Sequence, residues 1–395
     1  MKLLVVAPDF PYPPNHGGRV DTWVRLRVLA QLGHTVDLLV TSKIMPNESE
    51  VSMVKNVVRN VWLLERHNRP WHLISTKPLQ AVSRSSLAAV RLSEQYDVTW
   101  LEGEYVEPVL NNPTLKSRRI FMRLHNDEYA YFRQLSSSTR NPLKWLYYKT
   151  EAQKFRGFSR RLYQKTDKLF FISIDELNNF TNQDPDLKAK SVLLPAPLSK
   201  NRFDPPRLGQ YVLFVGSLFM PNNQEAILWY LQQVHPHITH RSYRLIIAGN
   251  SRGESLSWLH KAVTTHRNVQ IFDSPPDLDP LYAKSCIFIN PMRLGAGVKL
   301  KTLEAIQNGL ALVSTTKGAE GTGLEAGRHF LLADEPRDFA SAIEKLLDDK
   351  AAQIKLITQG QQFLCENYDH KSILERELVL QNGAVLDKPR IPPPL

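Results

Sequence analysis

Short apolar runs rich in β-branched residues alternate with helical stripes from one end of this 395-residue chain to the other. That rhythm belongs to strand–helix–strand crossovers, which build parallel sheets covered by helices on both faces. In the first half the runs fall at residues 2–8, 35–41, 61–64, 98–101, 120–124, 169–173 and 192–194. Between the first two, Val20, Val24, Val28 and Leu32 recur at i+4 and Gly33 closes the stripe, which predicts one crossover helix. Periodicity is lost across Pro195, Pro197, Pro205, Pro206 and Gly209, as in a linker, and then restarts at 211–215, 244–248, 269–272, 286–290, 311–314 and 330–333. The expectation is an α/β chain of two doubly wound domains with a cleft between them. They would cover residues 1–205 and 206–365, with residues 366–395 forming a C-terminal helix that packs back on the first domain and then a Pro-rich tail.

Charge divides unevenly between the halves. Residues 1–200 hold 29 Lys plus Arg against 19 Asp plus Glu, whereas residues 201–395 hold 21 against 20, so nearly all of the net +11 lies in the first half. An anionic partner on that half, or simply a solvated basic surface, fits this field. Cys286 and Cys365 stand alone without metal-ligand spacing, which excludes a disulfide framework and a cysteine zinc site and suits a reducing compartment. No run reaches the 18 or so apolar residues of a spanning helix, and no cleavable leader is recognisable. A cytoplasmic chain, peripheral at the inner membrane face, is therefore expected. No nucleic-acid module, phosphate-loop motif or nucleophile elbow is present.

The most informative segment runs from Leu294 to Gly309. Gly295 and Gly297 follow an apolar strand and precede a helix that Gly309 ends, and a strand-to-helix turn of this kind offers free N–H groups and the positive end of a helix dipole to an anion. Lys299 and Lys301 add cations in the first turn, where they oppose the dipole by ~0.3–1 kcal/mol unless an anion is bound. Gly297, Lys301 and Glu304 share one helical face, so a carboxylate sits one turn behind the cations, a setting for phosphates in front and sugar hydroxyls alongside. The plainer alternative is a Gly-rich turn with a surface Glu–Lys pair.

Together with Phe214-Val215-Gly216-Ser217-Leu218 and Ala319-Glu320-Gly321, this segment resembles the nucleotide-sugar half of the family-4 (group 1) retaining glycosyltransferases. The resemblance covers most of residues 208–350. It implies a GT-B fold, in which two Rossmann-like domains face each other across a cleft and the C-terminal one holds the donor. It implies that Glu304 binds the donor ribose, that Gly216, Ser217, Asn222, Arg293, Gly295, Ala296, Gly297, Val298 and Lys301 surround the donor, and that Lys299 assists the chemistry. It further implies a leaving phosphate that helps deprotonate the acceptor, with no cofactor and no obligatory metal. Three departures stand out. Ala296 replaces the first glutamate of the family's spaced pair, while Ser217 and Asn222 replace the arginine and lysine that commonly hold the diphosphate.

In the first half, Pro11 to Arg19 resembles the glycine loop that these enzymes present to the sugar or diphosphate, which points to Gly17 and Gly18, with His16 and Arg19 as acceptor contacts. His125, after the 120–124 run, aligns with a histidine close to the reacting sugar, and Arg123 beside it is a further acceptor candidate. A strand-end histidine satisfied by Asp127 is the plainer reading. From Lys144 to Lys165, basic residues interleave with aromatics at helical spacing. They suit an anionic membrane or a phosphorylated acceptor held by residues such as Lys149, unless the aromatics simply turn inward. The expected activity is retaining transfer of a hexosyl-type unit from a nucleotide diphosphate sugar to a glycan, lipid-linked or small-molecule hydroxyl in cell-envelope polysaccharide or glycoconjugate synthesis. A nucleotide-sugar epimerase or hydrolase of the same fold, and a silent binding subunit, are the alternatives.

Overall fold

The structure, a computed structural model, describes residues 1–15, 17–139, 141–198, 202–264, 266–295 and 297–379. His16, Ala296 and the Pro-rich tail lie outside the described residues. All thirteen expected strands are present. The first sheet comprises β1 (Lys2–Ala7), β2 (Thr35–Ser42), β3 (Asn60–Glu65), β4 (Gln95–Glu102), β5 (Lys116–Leu124), β6 (Lys168–Phe171) and β7 (Ser191–Leu193), in the order β3-β2-β1-β4-β5-β6-β7. The second comprises β8 (Tyr211–Val215), β9 (Arg244–Gly249), β10 (Val269–Asp273), β11 (Ser285–Asn290), β12 (Ala311–Ser314) and β13 (Leu331–Leu332), in the order β10-β9-β8-β11-β12-β13. In each sheet the order reverses beside its first strand, which is the doubly wound, Rossmann-like arrangement.

By their contacts the residues group into two units. The N-terminal unit comprises Met1–Arg123, Phe132–Leu169 and the chain from Asp369 onward; the C-terminal unit comprises Leu124–Tyr131 and Phe170–Tyr368.

In the C-terminal unit, sequence alternation sorts directly into two cores. Val212 and Phe214 of β8, Leu245 and Ile247 of β9, and Ile287 and Ile289 of β11 enter one core, with Phe339 and Ile343 of helix Pro336–Asp348. Leu213 and Val215, Ile246 and Ala248, and Phe288 enter the other, with Leu303 and Ile306 of helix Leu300–Gln307. Both sheet faces are covered, which is why these strands read as unbroken apolar runs. In the N-terminal unit the first crossover helix spans Gly17–Gln31, and Gly33 follows with φ +77°, the left-handed conformation that closes a helix. The last described helix, His370–Val379, belongs to the same unit: Lys168 of β6 pairs with Glu377, and Arg119 of β5 reaches the Leu378 carbonyl at 3.5 Å.

Gly309 shows how tightly the second unit closes. It has φ +77°, and a Cβ there would lie 2.1 Å from the Pro205 carbonyl oxygen, whereas Gly327, also at φ +77°, has open space around it. We therefore expect Gly309→Ala to lose clearly more stability in denaturant melts than Gly327→Ala, whose backbone strain alone is worth about 1 kcal/mol. Equal losses would mean that the Pro205 approach is not rigid.

Candidate donor site at the carboxyl ends of β8 and β11

β8 and β11 are the adjacent strands where the second sheet's order reverses, and open α/β sheets place ligands at the carboxyl ends of such strands. Gly216 and Ser217 follow β8, and the turn holding Gly295 and Gly297 follows β11, so both sequence motifs arrive at one point.

Buried side chains hold that point together. Asn290, the last residue of β11, donates from Nδ2 to Thr302 Oγ1 (2.8 Å) and to the Gly318 carbonyl (2.7 Å), and Thr302 also donates to Gly318 (2.9 Å). Thr315 Oγ1 donates to the Met292 carbonyl and accepts the Gly318 N–H (2.9 Å). These bonds fix the start of helix Leu300–Gln307 against the strand ends. Gly295, at φ +105°, packs so closely that a Cβ would lie 2.8 Å from Asn222 Nδ2, and Gly321 would bring one to 3.2 Å from Val298. Asn223 Nδ2 donates to the Ser217 carbonyl (3.0 Å), and a Cβ on Gly216 would meet the Asn223 amide at 3.1 Å. Asn222 and Asn223 open helix Pro221–Trp229, which thereby stitches the two loops together.

The two lysines occupy different settings. Lys299 is not a mobile surface cation: only 6% exposed, it folds back so that Nζ donates to the carbonyls of Gly297 (2.7 Å) and Gly295 (3.3 Å) and lies 3.8 Å from Glu320. Burial pulls its pKa down, and Glu320 partly offsets this. It acts as a brace for the turn. Lys301 donates from Nζ to Asn223 Oδ1 (2.8 Å) and lies 4.5 Å from the centre of the Phe214 ring. Desolvation and then the charge of Lys299 push its pKa down to about 7. Its hydrogen-bond partner is a neutral amide, so the ammonium is poised to gain from an anion. Glu304 is half-buried one turn further along. Burial first, and the Glu304 charge second, push the Tyr282 phenol up, and the Tyr282 hydroxyl is buried without a hydrogen-bond partner.

Other expected residues are placed differently. Arg293 is exposed, with Nη1 3.7 Å from Glu225 and its guanidinium 5.5 Å from the Trp229 ring centre. Gly17 and Gly18 form the first turn of helix Gly17–Gln31. Gly17 has open space around it and no positive φ, so the fold itself does not demand glycine there. Arg19 is tied to Asp9 at 2.8 Å. Arg123 corrects the expectation of an acceptor contact: it is fully buried and forks onto Asp21 through Nε (2.9 Å) and Nη2 (3.1 Å), so it shapes the strand end from beneath. His125 is half-buried directly after β5, and Asp127 caps the next helix by accepting the Ala130 N–H at 2.9 Å. Lys149 is exposed and covers the Trp145 ring at 4.5 Å.

Sequence reasoning missed Asn223, Tyr282 and the Asn290–Thr302 link. A polar residue ending an otherwise apolar strand was the available signal for Asn290.

The pattern of the family described as glycosyl transferases group 1 matches residues 209–349. Over 388 residues the chain is 36% identical to a Klebsiella pneumoniae protein described as an uncharacterized 44.6 kDa protein in the cps region, covering 94% of this chain and 97% of that one. Among solved structures, Anabaena Alr3699/HepE in complex with UDP and glucose superposes with a TM-score of 0.61 at 13% identity, covering 95% of this chain and 98% of the other. Sucrose-phosphate synthase tll1590 from Thermosynechococcus elongatus gives 0.64 at 14% identity, covering 96% and 99%. The chain thus belongs to the group 1 glycosyltransferases and has the GT-B fold. Its activity is sugar transfer.

Lys301 makes stability depend on pH. In the unfolded chain its ammonium persists to the ordinary value of 10.5, whereas in the folded protein it deprotonates near 7. Between those values the unfolded state binds the extra proton, so stability rises as pH increases from 7 toward 10.5. We expect Lys301→Met to flatten that rise in denaturant melts at neutral pH and at about pH 9. An unchanged slope would mean that the ammonium remains well hydrated.

Proposed function

We propose that this protein transfers a sugar from a nucleoside diphosphate sugar to an acceptor hydroxyl with retention of anomeric configuration, in cell-envelope polysaccharide or glycoconjugate assembly. The observation that carries the proposal is the desolvated Lys301 ammonium beside Asn223, next to the turn at Gly295 and one helical turn ahead of Glu304. The diphosphate takes Lys301 and the N–H groups of the glycine turn, while Glu304 accepts hydrogen bonds from the ribose hydroxyls. Lys299 and Asn222 keep the turn in shape.

As the sugar–phosphate bond breaks, negative charge grows on the leaving diphosphate, and a fixed cation in a water-poor setting stabilises that charge more than it stabilises the bound donor. This electrostatic work is what a metal would otherwise supply, so none is required in the proposal. The leaving phosphate oxygen accepts the acceptor's proton, and His125 hydrogen-bonds a hydroxyl of the transferred sugar. The N-terminal unit recognises the acceptor, a glycan or lipid-linked hydroxyl. Complexes of HepE with UDP and with UDP-glucose, and the cps-region relative, support the donor class and the polysaccharide setting.

UDP-, GDP- and ADP-sugars should be screened by thermal shift, since a donor that binds only the folded protein raises its melting point. Lys301→Ala should lower kcat by about a hundredfold. Glu304→Ala should weaken donor affinity by about tenfold or more. Turnover should survive a chelator, and the product anomer should match the donor by NMR. Calorimetry above pH 7, in buffers of different ionisation heat, should show proton uptake on donor binding, because the diphosphate re-protonates Lys301. Full donor affinity in both variants would overturn the assignment.

A further inference from the structure

Helix Pro142–Gln164 resolves the basic, aromatic-rich stretch into two faces. Tyr147 and Tyr148 turn inward onto Phe132, and Phe155, Phe158 and Leu162 are buried behind them. The outer face begins with Leu143 (78% exposed), Trp145 (42%) and Leu146 (54%). It continues with Lys149, Gln153, Arg156 and Arg160, all exposed and spaced at i+3 and i+4 from Leu146. The helix's one acidic residue, Glu151, is buried and accepts from the Leu79 N–H (2.8 Å) and from Lys154 (2.8 Å).

A second apolar element lies alongside. The turn Pro70–Ile74 exposes Trp71 (58%), Leu73 (52%) and Ile74 (87%), and Lys154 Nζ holds it to the helix through the Leu73 carbonyl at 3.1 Å. On both elements a cation lies over an exposed indole: Lys149 over Trp145 at 4.5 Å and Arg69 over Trp71 at 5.2 Å.

We propose that this face of the N-terminal unit docks on a bilayer of anionic phospholipid. A soluble surface seldom exposes two tryptophans and four large aliphatic side chains on neighbouring segments. A protein partner would account for the apolar residues but not for a rim of lysine and arginine whose acidic member is withdrawn. Indole rings at headgroup depth, aliphatic side chains beneath them and cations facing lipid phosphates are what an interfacial helix presents. The first 200 residues carry a net charge of +10 from 29 basic and 19 acidic residues, so the surrounding field has the same sign as the patch. The docking surface is independent of the donor chemistry proposed above.

The test is co-sedimentation of the full chain with vesicles of phosphatidylcholine alone and of phosphatidylcholine mixed with phosphatidylglycerol. We expect binding only to the mixed vesicles, falling as salt rises. Lys144→Gln and Lys149→Gln should each weaken it by roughly fivefold. The double variant Trp145→Ser, Ile74→Ser should abolish it while keeping the parent's circular dichroism and melting point. Absence of binding to mixed vesicles, binding that the variants leave unchanged, or variants that alter only self-association of the chain would each overturn the proposal.

Discussion

One buried amide organises the strand ends of the C-terminal unit. Asn290 ends β11 inside the protein, and its Nδ2 holds both the first turn of helix Leu300–Gln307, through Thr302, and the Gly318 carbonyl. The Asn290 backbone carbonyl accepts from Ser314 Oγ at 3.2 Å and from the Thr315 N–H at 3.3 Å, which draws the end of β12 to the same spot. Each such bond nets only ~0.5–1.5 kcal/mol, but leaving a buried partner unsatisfied costs ~1–3 kcal/mol, so the set persists or fails together. The consequence for function is positional. Gly295 presses against Asn222 beside these anchored strand ends.

The two units treat buried charge in opposite ways. In the N-terminal unit, Asp21, Arg25, Glu102 and Arg123 are all buried, two of each sign. Arg25 bonds to Glu102 through Nε (2.6 Å) and Nη2 (2.9 Å) and also to Asp21, with its guanidinium 5.1 Å from the Trp100 ring centre. Burial opposes the charged form of Arg25, but Asp21 and Glu102 raise its pKa above the ordinary value, whereas Arg123 is lowered by burial and by neighbouring Arg25. Such a set gains specificity more than stability, because desolvation consumes most of the Coulomb attraction. At the candidate donor site the balance is left open: Lys301 has an amide for a partner and a lysine for a neighbour. The first arrangement holds a shape, and the second leaves a positive charge awaiting a ligand.

The fold was legible because the central strands of each sheet are buried on both faces, so their apolar runs announced them, and Gly33 and Gly309 marked helix ends by a conformation that few other residues tolerate. The candidate site was legible where backbone chemistry defines its shape, in the positive-φ turn at Gly295 and Gly297, and much less so where long side chains choose among partners. Nothing in the spacing says that Lys299 curls onto its own turn, that Arg293 leans toward Glu225 and Trp229, or that Arg123 lies beneath the surface on Asp21. For Arg123 and Arg293 the outcome depends on which charges come within a few ångströms once segments distant in sequence pack, and for Lys299 on the local turn that carries it. The stretch from Lys144 to Lys165 divides for the same reason: Phe132 captures Tyr147 and Tyr148, while Leu143 just before it stays exposed among the described residues.

The departures from the family pattern then acquire a physical reading. Positions 217 and 222 carry no cation, yet the ammonium of Lys301 reaches Asn223, the residue after Asn222. A phosphate responds to the distance and hydration of a charge, not to the strand or helix that supplies it. At an effective dielectric near 20, a cation about 4 Å away contributes ~4 kcal/mol, and moving its origin from one helix to another leaves that term intact. What does change is pH sensitivity. A lysine desolvated to about 7 is charged in only part of the population near neutrality, so a phosphate bound beside it would be captured with proton uptake, whereas an arginine at the same place would remain protonated throughout.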